Sequence, residues 1–137
     1  MERVYSGAPW ESQVAYCRAV KFGPQIAVSG TTAVDAEGIV VGEKDIYAQT
    51  NYIFAKINTA LVSLGATLSD VVRTRMYVTD ITLFDEVAKA HKEAFEGVDP
   101  AATCVEVSRL VDENLLIEIE VDAYISDVHR VVKGTGK

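Results

Sequence analysis

Three acidic residues alternate with apolar residues in the stretch IEIEVDAYI, residues 117–125. Alternate side chains of a β-strand point to the same side, so Glu118, Glu120 and Asp122 would share one face of a sheet. Like charges in such a row repel each other. The face is therefore exposed to water, paired with basic groups on a neighbouring strand, or a place where carboxylates do acid–base chemistry.

Basic groups that could pair with these acids lie in VVRTRMYVT, residues 71–79. Its period of two predicts a strand with two faces. The apolar face carries Val72, Met76 and Val78, and the polar face carries Arg73, Arg75 and Tyr77. We expect these arginines to face the acids of the last strand.

The cysteines and histidines are few and widely spaced: Cys17, Cys104, His91 and His129. No CxxC or metal-ligand spacing is present, so we predict free thiols and no metal site. No Cys–His or Ser–His arrangement supports covalent catalysis. His91 falls on the apolar stripe of a predicted helix, which favours a partly buried histidine with a hydrogen-bond partner over a catalytic one.

The chain has 137 residues, of which 49% are hydrophobic and 24% are charged, and this composition predicts one globular domain over residues 1–137. The net charge of −7 argues against a nucleic-acid partner. No apolar run is long enough to span a membrane, and the N-terminus has no apolar signal region. We therefore expect a cytoplasmic protein with no membrane partner.

Two hairpins and two helices are predicted. Strands at 16–22 and 25–34 flank a Gly–Pro turn, and a helix over 45–64 begins with Asp45 as its N-cap. A second helix spans 82–97, with Thr82 and Asp85 as a capping box.

The last two strands, 102–110 and 115–125, are expected to pair as a hairpin, which would place Cys104 on the same face as Glu118. The order ββαβαββ predicts an α+β fold, with two helices packed on one face of a mostly antiparallel sheet. The polar opposite face is suited to water or to contact with another subunit.

Several segments, in this order and spacing, resemble the YjgF/RidA family of reactive-intermediate (enamine/imine) deaminases. They are AVSGTTAVDAEG at 27–38, Gln49, LGATLSDVVRTRMYVTD at 64–80, Pro100 followed by ATCVEV, and IEIE at 117–120. The resemblance covers nearly the whole chain. It implies a chorismate-mutase-like fold, a homotrimer with clefts between subunits, and hydrolysis of 2-aminoacrylate and related imines without metal or cofactor.

The resemblance also implies site residues. Tyr16, Ser29 and Gly30 would line the cleft together with Thr103 and Cys104, and Glu118 would position a water molecule. The family's substrate-binding arginine falls on Ala102, in PAAT. Alanine cannot bind a substrate carboxylate as a guanidinium does.

Because Ala102 leaves the usual deamination open, three functions are considered. The first is a small-molecule hydrolase that acts on an imine or a related carbonyl compound. The second is a non-catalytic trimer that binds a metabolite or regulates. The third is an endoribonuclease, which the acidic charge disfavours. Arg18 or Arg75 could substitute for the missing arginine, although pairing with acids is the more common role of such residues.

Overall fold

A single six-stranded sheet organises the computed structural model, which describes residues 1–126. The strands are β1 (Glu2–Val4), β2 (Ala19–Phe22), β3 (Gln25–Thr32), β4 (Val71–Val78), β5 (Ala101–Glu106) and β6 (Ile117–Tyr124). The helices are α1 (Pro9–Val14), α2 (Ile46–Ser63) and α3 (Phe84–Phe95). The strand order is β1-β2-β3-β6-β4-β5, and only β4 and β5 are parallel. The predicted α+β class is confirmed.

Helices α2 and α3 pack against each other and cover one face of the sheet. Asp45 caps α2 by accepting a hydrogen bond from the backbone N–H of Ala48 at 3.0 Å, as predicted. The odd-numbered residues of β6 point into this core, and Ile117, Ile119 and Val121 are fully buried. The even-numbered acids therefore lie on the opposite side, which we call the open face.

The predicted hairpin between the last two strands is wrong. β5 pairs in parallel with β4 at one edge of the sheet, whereas β6 runs between β3 and β4. The reason is that α3 carries the chain back over the sheet, and a strand that follows such a crossover pairs in parallel with the strand before it.

This pairing also corrects the predicted position of Cys104. In the parallel register, Cys104 lies beside Met76 and Thr103 lies beside Arg75. Met76 is buried beneath the helices, and Cys104 packs partly against the same core. Cys104 is therefore on the helix side, and only Thr103 shares the open face with Glu118.

An irregularity in β4 moves Val72 out of the core. The register with β6 shifts between Val71 and Arg73, so Val71 is buried and Val72 is 50% exposed. The inward position predicted for Val72 is wrong, and Val71 points inward instead.

The beginning of α3 and the first fifteen residues also differ from the predictions. Asp80 caps a short 3-10 turn at Ile81–Leu83, and α3 then begins at Phe84 without a side-chain cap, so the proposed capping box is not formed. The strand β1 and the helix α1 were not predicted. Pro9 at the start of α1 was the available signal, because proline is common at the first helical position.

Candidate functional site

The acids of β6 and the polar residues of β4 face each other across the open face. Their register pairs Glu118 with Tyr77, Glu120 with Arg75, and Asp122 with Arg73. The hydrogen bonds are diagonal: each β4 side chain bonds to the acid two residues after its register partner on β6. The Tyr77 hydroxyl donates to Glu120 Oε1 at 2.5 Å, and Arg75 Nη1 donates to Asp122 Oδ2 at 3.1 Å. Such diagonal neighbours are within reach of long side chains.

Because the bonds are diagonal, Glu118, the first of the three acids of β6, is left without a bond to β4. Within residues 1–126, its carboxylate makes no hydrogen bond or ion pair, although it is half-buried. Burial raises the pKa of Glu118, the nearby charge of Arg18 lowers it, and the charge of Glu120 raises it further. The expectation that the β4 arginines face the acids of the last strand is confirmed by the bond between Arg75 and Asp122.

The backbone of Gly30 lies next to the Glu118 carboxylate. It lies in a β3 segment where the register with β6 shifts between Val28 and Thr31. A Cβ atom on Gly30 would overlap Oε2 of Glu118 and would lie 3.0 Å from its Cδ. Only glycine leaves room for the carboxylate at this position.

Arg18 holds this segment of β3 in place. Its Nη1 donates to the Gly30 carbonyl at 2.9 Å and to Thr31 Oγ1 at 3.0 Å. Its Nε lies 3.6 Å from Oε2 of the buried Glu11. With a side chain that is only 12% exposed, Arg18 supports the backbone beside Glu118, and its Nε makes no hydrogen bond to any described residue.

Two other predicted site residues, Ser29 and Tyr16, lie next to Arg18. The Ser29 hydroxyl donates to the Cys17 carbonyl at 2.7 Å, which joins β3 to the segment before β2. The Tyr16 ring lies 5.7 Å from Cζ of Arg18. The structure thus connects Tyr16, Ser29 and Gly30 to Glu118 through Arg18 and the backbone of β3.

The two predicted residues of β5 lie apart from this group. Thr103 is on the open face beside Arg75, and Cys104 is on the helix side. Burial raises the pKa of the Cys104 thiol, so it is protonated near neutral pH and is a poor nucleophile. One chain does not bring Cys104 and Glu118 together.

Ala102 lines a cleft of about 620 Å³ between α3 and β5, which sequence reasoning missed. His91 also lines the cleft, and its Nε2 is hydrogen-bonded to Oγ1 of the buried Thr74 at 2.9 Å. Its ring packs against Phe54 and Phe95. The prediction of a partly buried His91 with a hydrogen-bond partner is confirmed.

Neither a metal-binding cluster nor a membrane-spanning helix is found in the described residues. No group of three or more His, Cys, Asp or Glu side chains in the described part of the chain could hold a metal ion, and His129 lies outside that part. None of the helices between residues 1 and 126 is long and apolar enough to cross a membrane.

Comparison with known proteins places the chain in a family. The sequence profile of the Endoribonuclease L-PSP family matches residues 7–125. An uncharacterized protein of Streptomyces coelicolor, SCO2049, is 37% identical over 124 residues, covering 90% of this chain and 92% of that protein. A RutC family protein of Pyrococcus abyssi is 37% identical over 109 residues, covering 80% of this chain and 85% of that protein.

A solved structure of another protein is similar to this chain in both fold and sequence. Rv2704 from Mycobacterium tuberculosis, a member of the YjgF/YER057c/UK114 family, is 47% identical with a TM-score of 0.83, and the match covers 90% of this chain and 98% of that one. The chain therefore belongs to the YjgF/RidA family, which includes the RutC proteins. Membership supports a function that involves small molecules.

Proposed function

We propose that this protein is a RidA-like hydrolase that acts on a small imine, enamine or related carbonyl compound, with Glu118 positioning the attacking water. The observation that carries this proposal is the isolation of Glu118. Its two neighbours in the row are bonded to Tyr77 and Arg75, whereas its own carboxylate is half-buried and has no partner within residues 1–126. A purely structural acid would be expected to be paired or fully hydrated.

The chemistry proposed for Glu118 is general base catalysis. Its carboxylate accepts a proton from water as the water oxygen bonds to the imine carbon. The C=N π electrons move to the nitrogen, which takes this proton to give a carbinolamine. The C–N bond then breaks as the remaining hydroxyl proton also passes to the nitrogen, which releases ammonia and a carbonyl product. A pKa raised by burial brings the carboxylate closer to the working pH, which improves a general base.

The proposed site lies between subunits of a homotrimer. Glu118 and Thr103 are on the open face, whereas Ala102 and Cys104 are on the helix side of the edge strand β5. These residues can line one cleft only if a second chain supplies the other wall. A polar open face and an edge strand with unpaired backbone groups are both suited to contact another copy.

A binding or regulatory trimer without catalysis is the second candidate, and Ala102 favours it. Arg75 is paired with Asp122, and Arg18 is occupied by Gly30 and Thr31. These bonds favour a structural role for both guanidinium groups over the substrate-binding role that the resemblance gives to an arginine at position 102.

Ammonia release from a panel of freshly generated imines distinguishes the two candidates. We expect Glu118→Gln to lower turnover by roughly 10²- to 10⁴-fold, the usual contribution of a general base. Glu120→Gln is the matched control, one step along the same face, and should retain most of the activity. If no imine is turned over, the binding trimer is the better description. If both variants lose activity equally, Glu118 has no specific role in the reaction.

Ribonuclease activity, suggested by the name of the matching family, is disfavoured by the net charge of −7. RNA cleavage that survives purification and is lost in Glu118→Gln would support it.

A further inference from the structure

A buried pair of opposite charges lies beside Glu118, and the proposed reaction does not use it directly. Glu11, on α1, has a side chain that is only 4% exposed, and its Oε2 lies 3.6 Å from Nε of Arg18. A carboxylate at such a position loses most of its hydration, so it needs partners that offset the loss. The contacts of Glu11 therefore indicate its role.

The N-terminal segment holds Glu11 in one place. The backbone N–H of Ser6 donates to Oε1 of Glu11 at 2.9 Å, and the Ser6 hydroxyl donates to Oε2. The carbonyl of Glu11 accepts the N–H groups of Ala15 and Tyr16, each at 2.9 Å. These four bonds fix both ends of the residue, so its carboxylate stays beside Arg18.

Arg18 lies between two carboxylates, those of Glu11 and Glu118. Its Nη1 donates to the Gly30 carbonyl, and the Glu118 carboxylate lies against the same glycine. Burial raises the pKa of Glu118, and the charge of Arg18 is close enough to lower it. A guanidinium has five N–H groups, and the buried Nε of Arg18 makes no hydrogen bond to any described residue. Arg18 therefore retains donor capacity for one of the two acids.

A second cation faces the same region from α2. Lys56 donates to two backbone carbonyls at the end of β3 and just after it. Burial lowers the pKa of Lys56, the charge of Arg18 lowers it further, and the charges of Asp35 and Glu11 raise it. Glu11 thus opposes two positive charges. Without it, these charges would act on Glu118 uncompensated.

We propose that Glu11 is a positioning residue for Glu118: it holds Arg18, keeps the guanidinium from pairing with Glu118, and so leaves that carboxylate free to act on water. Glu11 acts only through Arg18 and touches no reacting atom. The role in hydrolysis rests on the proposed function, whereas the competition of the two carboxylates for Arg18 does not.

Glu11→Gln removes the competing charge and nearly preserves the size of the side chain. The carboxyl carbon of Glu118 is titrated by ¹³C NMR in the full-length protein, with Glu118→Gln to assign its signal. An opposite charge close to an acid lowers its pKa by about 1–3 units. Because Arg18 would then pair with Glu118, we expect the titration midpoint of Glu118 to fall by about one pH unit or more. Glu2→Gln is the matched control, since Glu2 is exposed and its pair with Lys21 is long at 4.0 Å, and it should leave the midpoint unchanged.

Arg18→Met identifies the group that causes the fall. In the double variant Glu11→Gln/Arg18→Met, no guanidinium is left to pair, so the midpoint should return to the wild-type value or exceed it. Glu11→Asp withdraws the carboxylate by one methylene and should give a smaller fall. An unchanged midpoint in folded Glu11→Gln, or a fall that persists without Arg18, would overturn the proposal. Loss of the fold in both Glu11 variants would show a structural role alone and would overturn it equally.

The pH profile of hydrolysis is a separate readout. On an imine that the wild type hydrolyses, Glu11→Gln should lower kcat/KM above pH 7, because a paired carboxylate is a weaker base. The acidic limb of the profile should move to lower pH by the same amount as the titration midpoint, and a lower rate with an unmoved limb would refute the positioning role. A wild type that hydrolyses no imine would contradict the proposed function, whereas the titration of Glu118 would still decide whether Glu11 controls Arg18.

Discussion

The Cα of Gly30 lies directly against the carboxylate of Glu118, so closely that any side chain at position 30 would overlap Oε2. Arg18 fixes the Gly30 carbonyl from the other side. The hydrogen bond from Arg18 fixes the backbone of β3, and the missing side chain at position 30 leaves room for the carboxylate beside it. Because Gly30 does not adopt a left-handed backbone conformation, the space it leaves is the reason for glycine here.

Gly30→Ala is therefore expected to destabilise the fold through the contact with Glu118 alone. The added methyl group should lower the free energy of unfolding by about 1–3 kcal/mol, as overpacking does in other proteins. In the background of Glu118→Ala, the same substitution should have little effect, because the space is then free. Urea unfolding of the four proteins at one fixed protein concentration measures this coupling.

The same cycle with Glu120→Ala is the control and should show no coupling, since the Glu120 carboxylate is bonded to Tyr77. If Gly30→Ala were equally destabilising with and without Glu118, the effect would come from the backbone of β3.

Glu118→Gln is expected to stabilise the fold at pH 7–8. Burial raises the folded-state pKa of Glu118 above its unfolded value, so the folded protein favours the protonated acid. The favourable contribution is fully present below the unfolded pKa and is lost as the pH rises through the folded pKa. A neutral glutamine avoids this loss, so the gain in melting temperature should appear at pH 8 and disappear near pH 4.

Glu120→Gln provides the comparison for this pH effect. Glu120 accepts the Tyr77 hydroxyl, and glutamine weakens a charge-assisted bond, so no stabilisation is expected at pH 8. If Glu118→Gln were less stable than the wild type at pH 8, Glu118 would have a favourable partner, and its proposed role as a free base would be wrong.

Local patterns predicted β6 and α2 well because each has one buried face. The alternation in β6 separates fully buried Ile117 and Ile119 from half-buried Glu118. The N-cap of α2 depends on Asp45, within the helix's own first turn. These features require only neighbouring residues and a core, so the sequence is sufficient to predict them.

The position of β5 could not be predicted in the same way. Most of this edge strand is exposed on both faces, so its alternation carries little information about which side faces the core. Its register depends on pairing with β4 across the whole of α3, and local pattern does not specify such long-range pairing. The cleft next to Ala102 follows from that packing and was therefore missed with it.

A homotrimer is the expected assembly. The open face carries a row of acids, two arginines and Tyr77, and β5 leaves one backbone edge unpaired within residues 1–126. One sheet with helices on a single side cannot cover these groups itself. Sedimentation equilibrium at micromolar concentration should give three times the chain mass, and a monomer mass would contradict both the assembly and the proposed intersubunit site.

Weak or absent hydrolysis of 2-aminoacrylate is the last expectation, and it depends on Ala102. This substrate carries a carboxylate, and the two arginines considered as substitutes already make other bonds: Nη1 of Arg18 bonds to Gly30 and Thr31, and Nη1 of Arg75 bonds to Asp122. Losing such an anchor should reduce transition-state binding by roughly 2–5 kcal/mol, or about two to four decades.

Ala102→Arg should recover at least about tenfold in kcat/KM if position 102 faces the reacting centre of a neighbouring subunit. The exposed Ala36→Arg variant should recover nothing. Hydrolysis by the wild type at the rate of relatives that carry the arginine would show that another donor binds the carboxylate, and a search for that donor would then begin with the residues around Thr103.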